Sequence, residues 1–218
     1  MKLRKSVSAV AAAALAVAWA GAARATVDFL DVFAPQQTGW DYTGVTDGYL
    51  GPLNNHVNVS GVSLGWAPGV NIAGVTLGFR LLGFDTLDGL ICCTDTLSVA
   101  VDGVTLLSGT FGVGNAQQVY IAPAGLSVDF LGAVGPLGQQ GHASAVYDIA
   151  FQIPDLTAGM HTFAWSYTPL QSLADESWGL DNVVIQHQTP VGEPNMVALL
   201  GVGMVGLGAL IRRKTKTE

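Results

Sequence analysis

The chain has 218 residues, half of them hydrophobic and 11% charged, with a formal net charge of −7. That length suits one domain plus short terminal segments. Of nine basic residues only Arg80 lies between Thr26 and Pro190, against 14 acids, a net charge of −13 for that stretch; a nucleic-acid partner needs many Lys and Arg to displace phosphate counterions, so that class is excluded.

Residues 1–25 have the three parts of a secretory signal peptide. Lys2, Arg4 and Lys5 supply the positive start, residues 7–20 the apolar, Ala-rich stretch, and Ala23-Arg24-Ala25 the small-x-small cleavage site. The expectation is an N-terminal signal helix, export through the Sec machinery, and a mature chain beginning near Thr26.

Residues 26–188 read as a β-sandwich domain. Residues 74–84, 96–111, 117–122, 143–153, 161–167 and 178–185 are short runs rich in β-branched and aromatic residues, broken by Gly, Asp, Asn and Pro. In "LSVAVDGVTLL", Asp102-Gly103 supplies a two-residue hairpin turn between alternating strands. Residues 35–69, rich in Gly, Asn and Thr, predict long loops with one or two strands. Gly and Pro interrupt every window that a long amphipathic helix needs. The predicted fold class is all-β, an antiparallel, jelly-roll-like sandwich.

The 13 Asp residues of this stretch favour turns, and a subset is a candidate for calcium, a hard ion that prefers oxygen. Cys92 and Cys93 are adjacent; a vicinal disulfide, two thiols and links to another chain are the alternatives, the first slightly favoured. Asp85, Asp88 and Asp95 flank them without matching the EF-hand pattern, and a solvated acidic loop is the simpler reading.

Residues 189–218 form a separate segment. Residues 196–211 carry no charge, and Arg212, Arg213, Lys214 and Lys216 follow at once. As a helix the run reaches about 24 Å, short of a roughly 30 Å bilayer core. The positive-inside rule keeps the basic end cytoplasmic and the core domain outside. Gly201-Val202-Gly203-Met204-Val205-Gly206 fits a dinucleotide fingerprint but lacks the strand–helix context that gives it meaning.

The order Gly192-Glu193-Pro194, apolar span, Arg212-Arg213-Lys214 resembles the PEP-CTERM sorting signal of exported proteins, with Gly192 where that family has its first Pro. The resemblance implies exosortase processing, a transmembrane helix, an inner-membrane-anchored intermediate before arrival at the cell surface or outside it, and association with exopolysaccharide and biofilm. The alternative is a plain C-terminal membrane anchor. "DESWGLDNVVI", with the upstream "GFDTLDGLICCTDTLSVAVDG", resembles galactose-binding-like jelly rolls and carbohydrate-binding modules. That resemblance implies a structural Ca2+ on Asp181 in the last strand with Asp28 or Asp31 in the first; the simpler reading has Asp181 and Asn182 satisfying backbone groups at an edge.

Trp40, Tyr42, Tyr49 and Trp66 lie in the loop-rich N-terminal third and are candidate glycan-stacking residues, although a sandwich core is also built from aromatics. His56, His142, His161 and His187 are scattered, without zinc spacing, and no nucleophile elbow is present. The expected function is a non-enzymatic, exported structural, adhesive or glycan-binding protein of the cell surface or extracellular matrix. The competing class is an extracellular polysaccharide hydrolase using a carboxylate pair.

Overall fold

A computed structural model describes residues 24–33, 38–46, 48–56, 59–85, 87–88, 94–112, 119–133, 145–173 and 175–189. Twelve strands occupy them: β1 (Arg24–Asp31), β2 (Val45–Thr46), β3 (Tyr49–Leu53), β4 (Gly61–Trp66), β5 (Val75–Asp85), β6 (Thr96–Val101), β7 (Val104–Thr110), β8 (Val119–Ile121), β9 (Ser127–Ala133), β10 (Ala145–Gln152), β11 (His161–Thr168) and β12 (Glu176–Thr189). A compact unit spans Thr26–His187.

The strands form two sheets. The larger runs β2-β3-β12-β5-β10-β9, with β1 also on β12; the smaller runs β4-β11-β6-β7-β8. The ladders of β5, β10 and β12, and those of β4, β6, β7 and β11, are antiparallel.

Period-two alternation aims one face of each sheet at the other. On the larger sheet Leu81, Phe79 and Leu77 stand opposite Tyr147, Ile149 and Phe151. On the smaller sheet Phe163, Trp165 and Tyr167 stand opposite Val101, Val99 and Leu97. All twelve belong to one buried cluster. Trp165 joins the layers, its ring meeting Phe79 edge-on at 6.0 Å and Trp40 at 5.5 Å. Burying each large apolar side chain contributes about 1.5–3 kcal/mol, which is what offsets the entropy of ordering so many short strands.

The larger sheet is covered on both faces at one end. Tyr49, Leu82, Phe84 and Val146 form a second buried cluster on its outer side, with Tyr49 and Phe84 rings 5.3 Å apart. This is why β5 reads "LLGF", an unbroken apolar run, where a half-exposed strand would alternate.

The predicted hairpin is present. Asp102 and Gly103 both have positive φ, 51° and 79°, the backbone of a tight turn between β6 and β7. The predicted strands at 74–84, 117–122, 143–153, 161–167 and 178–185 correspond to β5, β8, β10, β11 and β12. Residues 35–69 hold three strands, β2, β3 and β4, rather than one or two.

Among the described residues no helix is long and apolar enough to cross a membrane; their Gly- and Pro-punctuated, β-branched sequence is spent on strands. This corrects the expectation of a transmembrane helix. It corrects with it the inner-membrane-anchored intermediate and the membrane partnership built on that helix, and the described residues give no support to the exosortase and Sec partnerships. The apolar run 196–211, the sorting residues Gly192, Glu193, Pro194, Arg212, Arg213 and Lys214, and the signal-peptide segment 1–23 lie outside the described residues, as do Cys92 and Cys93.

Candidate functional site

The three predicted calcium ligands do different work. Asp31 ends β1 and is fully buried. Its Oδ1 accepts the Phe33 amide at 2.7 Å and its Oδ2 accepts the Trp40 indole N–H at 2.9 Å. Phe33 has φ of +49°, a conformation unusual for a side-chain-bearing residue, and the Asp31 bond holds it there. Asp28, on the other face of β1, pairs its Oδ2 with His187 Nδ1 at 2.7 Å. Asp181 accepts the Asn182 amide at 2.7 Å. Burial pushes the Asp181 carboxyl above its ordinary value, with the Asp148 and Asp31 charges adding to that shift and the Asn182 amide and Arg80 opposing it. Among the described residues no three His, Cys, Asp or Glu side chains are gathered to hold a metal.

The four candidate aromatics also separate. Tyr49 is buried in the outer cluster. Trp40 and Tyr42 are half-buried against the main core, Trp40 wedged between Phe33 and Trp165. Trp66 is half-buried too, but it lines a cleft of about 670 Å³, where β1 and β4 leave a hollow together with Gly39 and Met160. Phe29 and Phe163 hold its ring, each with a centroid 6.4 Å away. Asp28 stands in the same cleft, and Met160 on its rim is 71% exposed. The rim needs a glycine: Gly39 has φ of +106°, and a Cβ there would lie 2.4 Å from the Gly65 carbonyl oxygen. That close approach lets the Gly39 carbonyl accept the Gly65 amide at 2.9 Å, fixing the loop along β4 beside Trp66.

A smaller hollow of about 260 Å³ lies on the outer face of the larger sheet, lined by Arg80, Asp129, Asp148 and Asn182 among others. Arg80 forks onto both oxygens of Asp148 at 2.8 and 3.0 Å, and that bond raises the guanidinium pKa further. The single cation of the 26–190 stretch is therefore committed to one carboxylate.

The second acidic set is partly assembled. Asp95 and Glu176 are buried, at 1% and 0% exposure, and Asp88 is half-buried. Asp85 lies opposite Glu176 in the β5–β12 ladder. Burial pushes the Asp95 carboxyl up to about 7, the Glu176 and Asp88 charges add to that, and the Asp88 amide opposes it. Burial likewise raises Glu176, against the Gln171 amide and with the Asp88 and Asp175 charges. Sequence reading singled out Asp88 and Asp95 but not Glu176. The signal available was a lone Glu among 13 Asp, directly before an apolar strand.

Away from these sites, His161 Nδ1 meets Asp102 Oδ2 at 2.7 Å. The Asp102 bond raises the imidazole pKa above its ordinary 6.5, helped by the Thr157 carbonyl. Burial pushes Asp102 up, but the His161 bond, the Thr162 amide and the His161 charge outweigh it, so its pKa falls below the ordinary 3.8. The histidine contribution to stability is complete below 6.5 and fades as pH rises through the raised folded value. The aspartate contribution is present above 3.8 and fades as pH falls through the lowered one. Wild type is therefore expected to lose stability relative to His161→Gln between about pH 6 and 8, by under about 1 kcal/mol because the pair is partly exposed. Paired thermal melts across that range check it; a difference that stays constant with pH would refute the assignment.

Neither the protein-family models nor the curated proteins contain a match to this chain.

Proposed function

We propose that the protein is a non-enzymatic, extracellular β-sandwich with an adhesive role that binds carbohydrate in the Trp66 cleft. A β-sandwich of this kind is consistent with structural and adhesive proteins in general. The observation that carries the finer reading is the Trp66 ring, held by Phe29 and Phe163 in an open hollow beside the Asp28 carboxylate. A sugar offers an apolar C–H face to such a ring and hydroxyl donors to such a carboxylate, and a cleft of about 670 Å³ lies within the usual size range of small-ligand sites.

The hydrolase reading has less behind it. Glycoside hydrolysis needs two carboxyl groups flanking one open site. Asp28 is the one carboxylate among the described residues of the Trp66 cleft, and it is bonded to His187. Asp95 and Glu176 are too deeply buried to meet a polymer. In the smaller hollow Arg80 caps both oxygens of Asp148.

Affinity electrophoresis of the purified full chain through gels containing neutral and acidic polysaccharides tests the proposal. Retardation by at least one polysaccharide is expected, with Trp66→Ala weakening it about tenfold or more, the scale of an aromatic hot spot. Because Trp66 also packs on the core, Trp66→Phe and a thermal melt accompany the alanine variant. Retardation unchanged in a folded Trp66→Ala protein, or none with any polysaccharide, would exclude the cleft as a glycan site.

A further inference from the structure

Four successive residues of β1, Val27, Asp28, Phe29 and Leu30, line the Trp66 cleft. Neighbouring side chains of a strand point to opposite faces, so a hollow that meets all four runs along the strand's edge. Among the described residues β1 pairs with β12 and with no other strand, and no residue of β12 lines the cleft. The hollow therefore lies against the outer edge of β1, where alternate backbone N–H and C=O groups have no partner strand. The opposite wall differs. The Gly65 amide is taken by the Gly39 carbonyl at 2.9 Å, and Trp66 stands opposite His161 in the β4–β11 ladder. That wall offers the Trp66 ring, with Ala67 and Met160 beside it.

No basic residue is among those described around the cleft. Arg80 is held by Asp148 on the outer face of the larger sheet, and His187 by Asp28 itself, Nδ1 to Oδ2 at 2.7 Å. An anionic sugar would bring its charge beside Asp28 with nothing to neutralise it, and like charges in a partly dry site repel strongly. A strand edge asks for a group that donates and accepts side by side, as an amide does. We propose that the cleft selects uncharged sugars that carry an acetamido group, an inference that rests on the reading of the cleft as a glycan site. The sugar's amide pairs with the edge of β1, its methyl meets the exposed apolar side chains of Val27, Leu30 and Met160, and its ring lies on Trp66. The four β1 residues give about 13 Å of edge at roughly 3.3 Å each, less than an ordinary strand of about five or six residues, so a short run of sugars suits it better than a peptide strand.

Affinity electrophoresis of the full chain through gels of three soluble polymers tests this. Glycol chitin is uncharged and carries acetamido groups, hydroxyethylcellulose is its uncharged counterpart without them, and alginate is acidic. Glycol chitin is expected to bind about tenfold or more tighter than hydroxyethylcellulose, the scale of one or two lost hydrogen bonds, and alginate is expected not to bind. Trp66→Ala is expected to weaken glycol chitin binding about tenfold or more. Met160→Ala, on the exposed rim where substitution puts folding at little risk, is expected to weaken it about threefold. Trp66-dependent binding of hydroxyethylcellulose or alginate as tight as that of glycol chitin would overturn the acetamido selection and leave the cleft a glycan site. Absence of binding to glycol chitin also overturns the selection; the glycan reading falls with it only if no other polysaccharide is retarded, or if a folded Trp66→Ala protein binds as wild type does. Displacement of glycol chitin by a soluble hexapeptide of Val and Ser, and not by the N-acetylated trisaccharide, would assign the edge to a peptide and overturn the proposal as well.

Discussion

Trp165→Ala is expected to cost about 3–5 kcal/mol, the scale of a large aromatic truncated in a packed core. The indole is 1% exposed and touches both layers, through Val99 beside it in the smaller sheet and Phe79 across the core. Truncation removes the transfer free energy of a whole indole. It also leaves a cavity that the rings of Trp40 and Phe79 cannot fill without moving their own strands. For a domain of this size the fall in Tm is about 6–20 °C. Trp165→Phe makes a sharper comparison. The Trp165 indole nitrogen is buried without a hydrogen-bond partner, so phenylalanine gives up volume but removes an unsatisfied donor. The phenylalanine variant should therefore lie closer to wild type than to the alanine variant in urea or thermal unfolding. Equal losses in the two variants would show that Trp165 does not bridge the layers as described.

Asp31→Ala is expected to cost about 3–5 kcal/mol, although it deletes only one small side chain. Hydrogen bonds to a buried charge are worth about 1.5–3 kcal/mol each, and Asp31 accepts one from the Phe33 amide and another from the Trp40 indole. Removing the acceptor leaves the buried Phe33 amide and the part-buried Trp40 indole N–H stranded and frees Phe33 from its positive φ. Asp31→Asn retains the shape but presents its amide N–H to one of those donors, so it is expected to recover part of the loss at most. Denaturant melts with and without calcium separate this role from metal binding: the Asp31→Ala deficit should be the same in both. A deficit confined to calcium-loaded protein would return Asp31 to the list of metal ligands.

What could be read from the sequence followed the physics of short-range signals. The Asp102-Gly103 turn was legible because two positive φ values in succession demand that pair or its near relatives. β10 and β11 were legible because alternation of large and small residues survives burial on one face. β9, Ser127–Ala133, was not, because Gly132 and Asp129 break up the run and Val128 and Phe130 are only half-buried. β4 was hidden for a similar reason, with glycines at both Gly61 and Gly65. The candidate sites were less legible still. Asp28 or Asp31 entered as a calcium ligand through a resemblance, and the Trp40 indole that Asp31 holds lies nine residues on, across a turn that sequence cannot place. Asp88 and Asp95 were noticed together, but Glu176 reaches them only through the pairing of β12 with β5. Of the four aromatics, composition alone could not tell Trp66 on its cleft from Tyr49 in the outer cluster.

β12 carries one residue more than its ladder requires. Asp181 faces Arg80 and Val184 faces Gly78, so Asn182 and Val183 together oppose Phe79, and Asn182 takes φ of +50°. The inward positions change parity across this point, from Trp178 and Leu180 to Val183 and Ile185. Deleting Asn182 on paper restores plain alternation with all four of these side chains still inward and the β5 partners beyond it unchanged. The core therefore does not ask for Asn182; the outer hollow beside Arg80 and Asp148, where Asn182 projects, is what it serves. At this point β12 can lose one residue without turning the strand inside out.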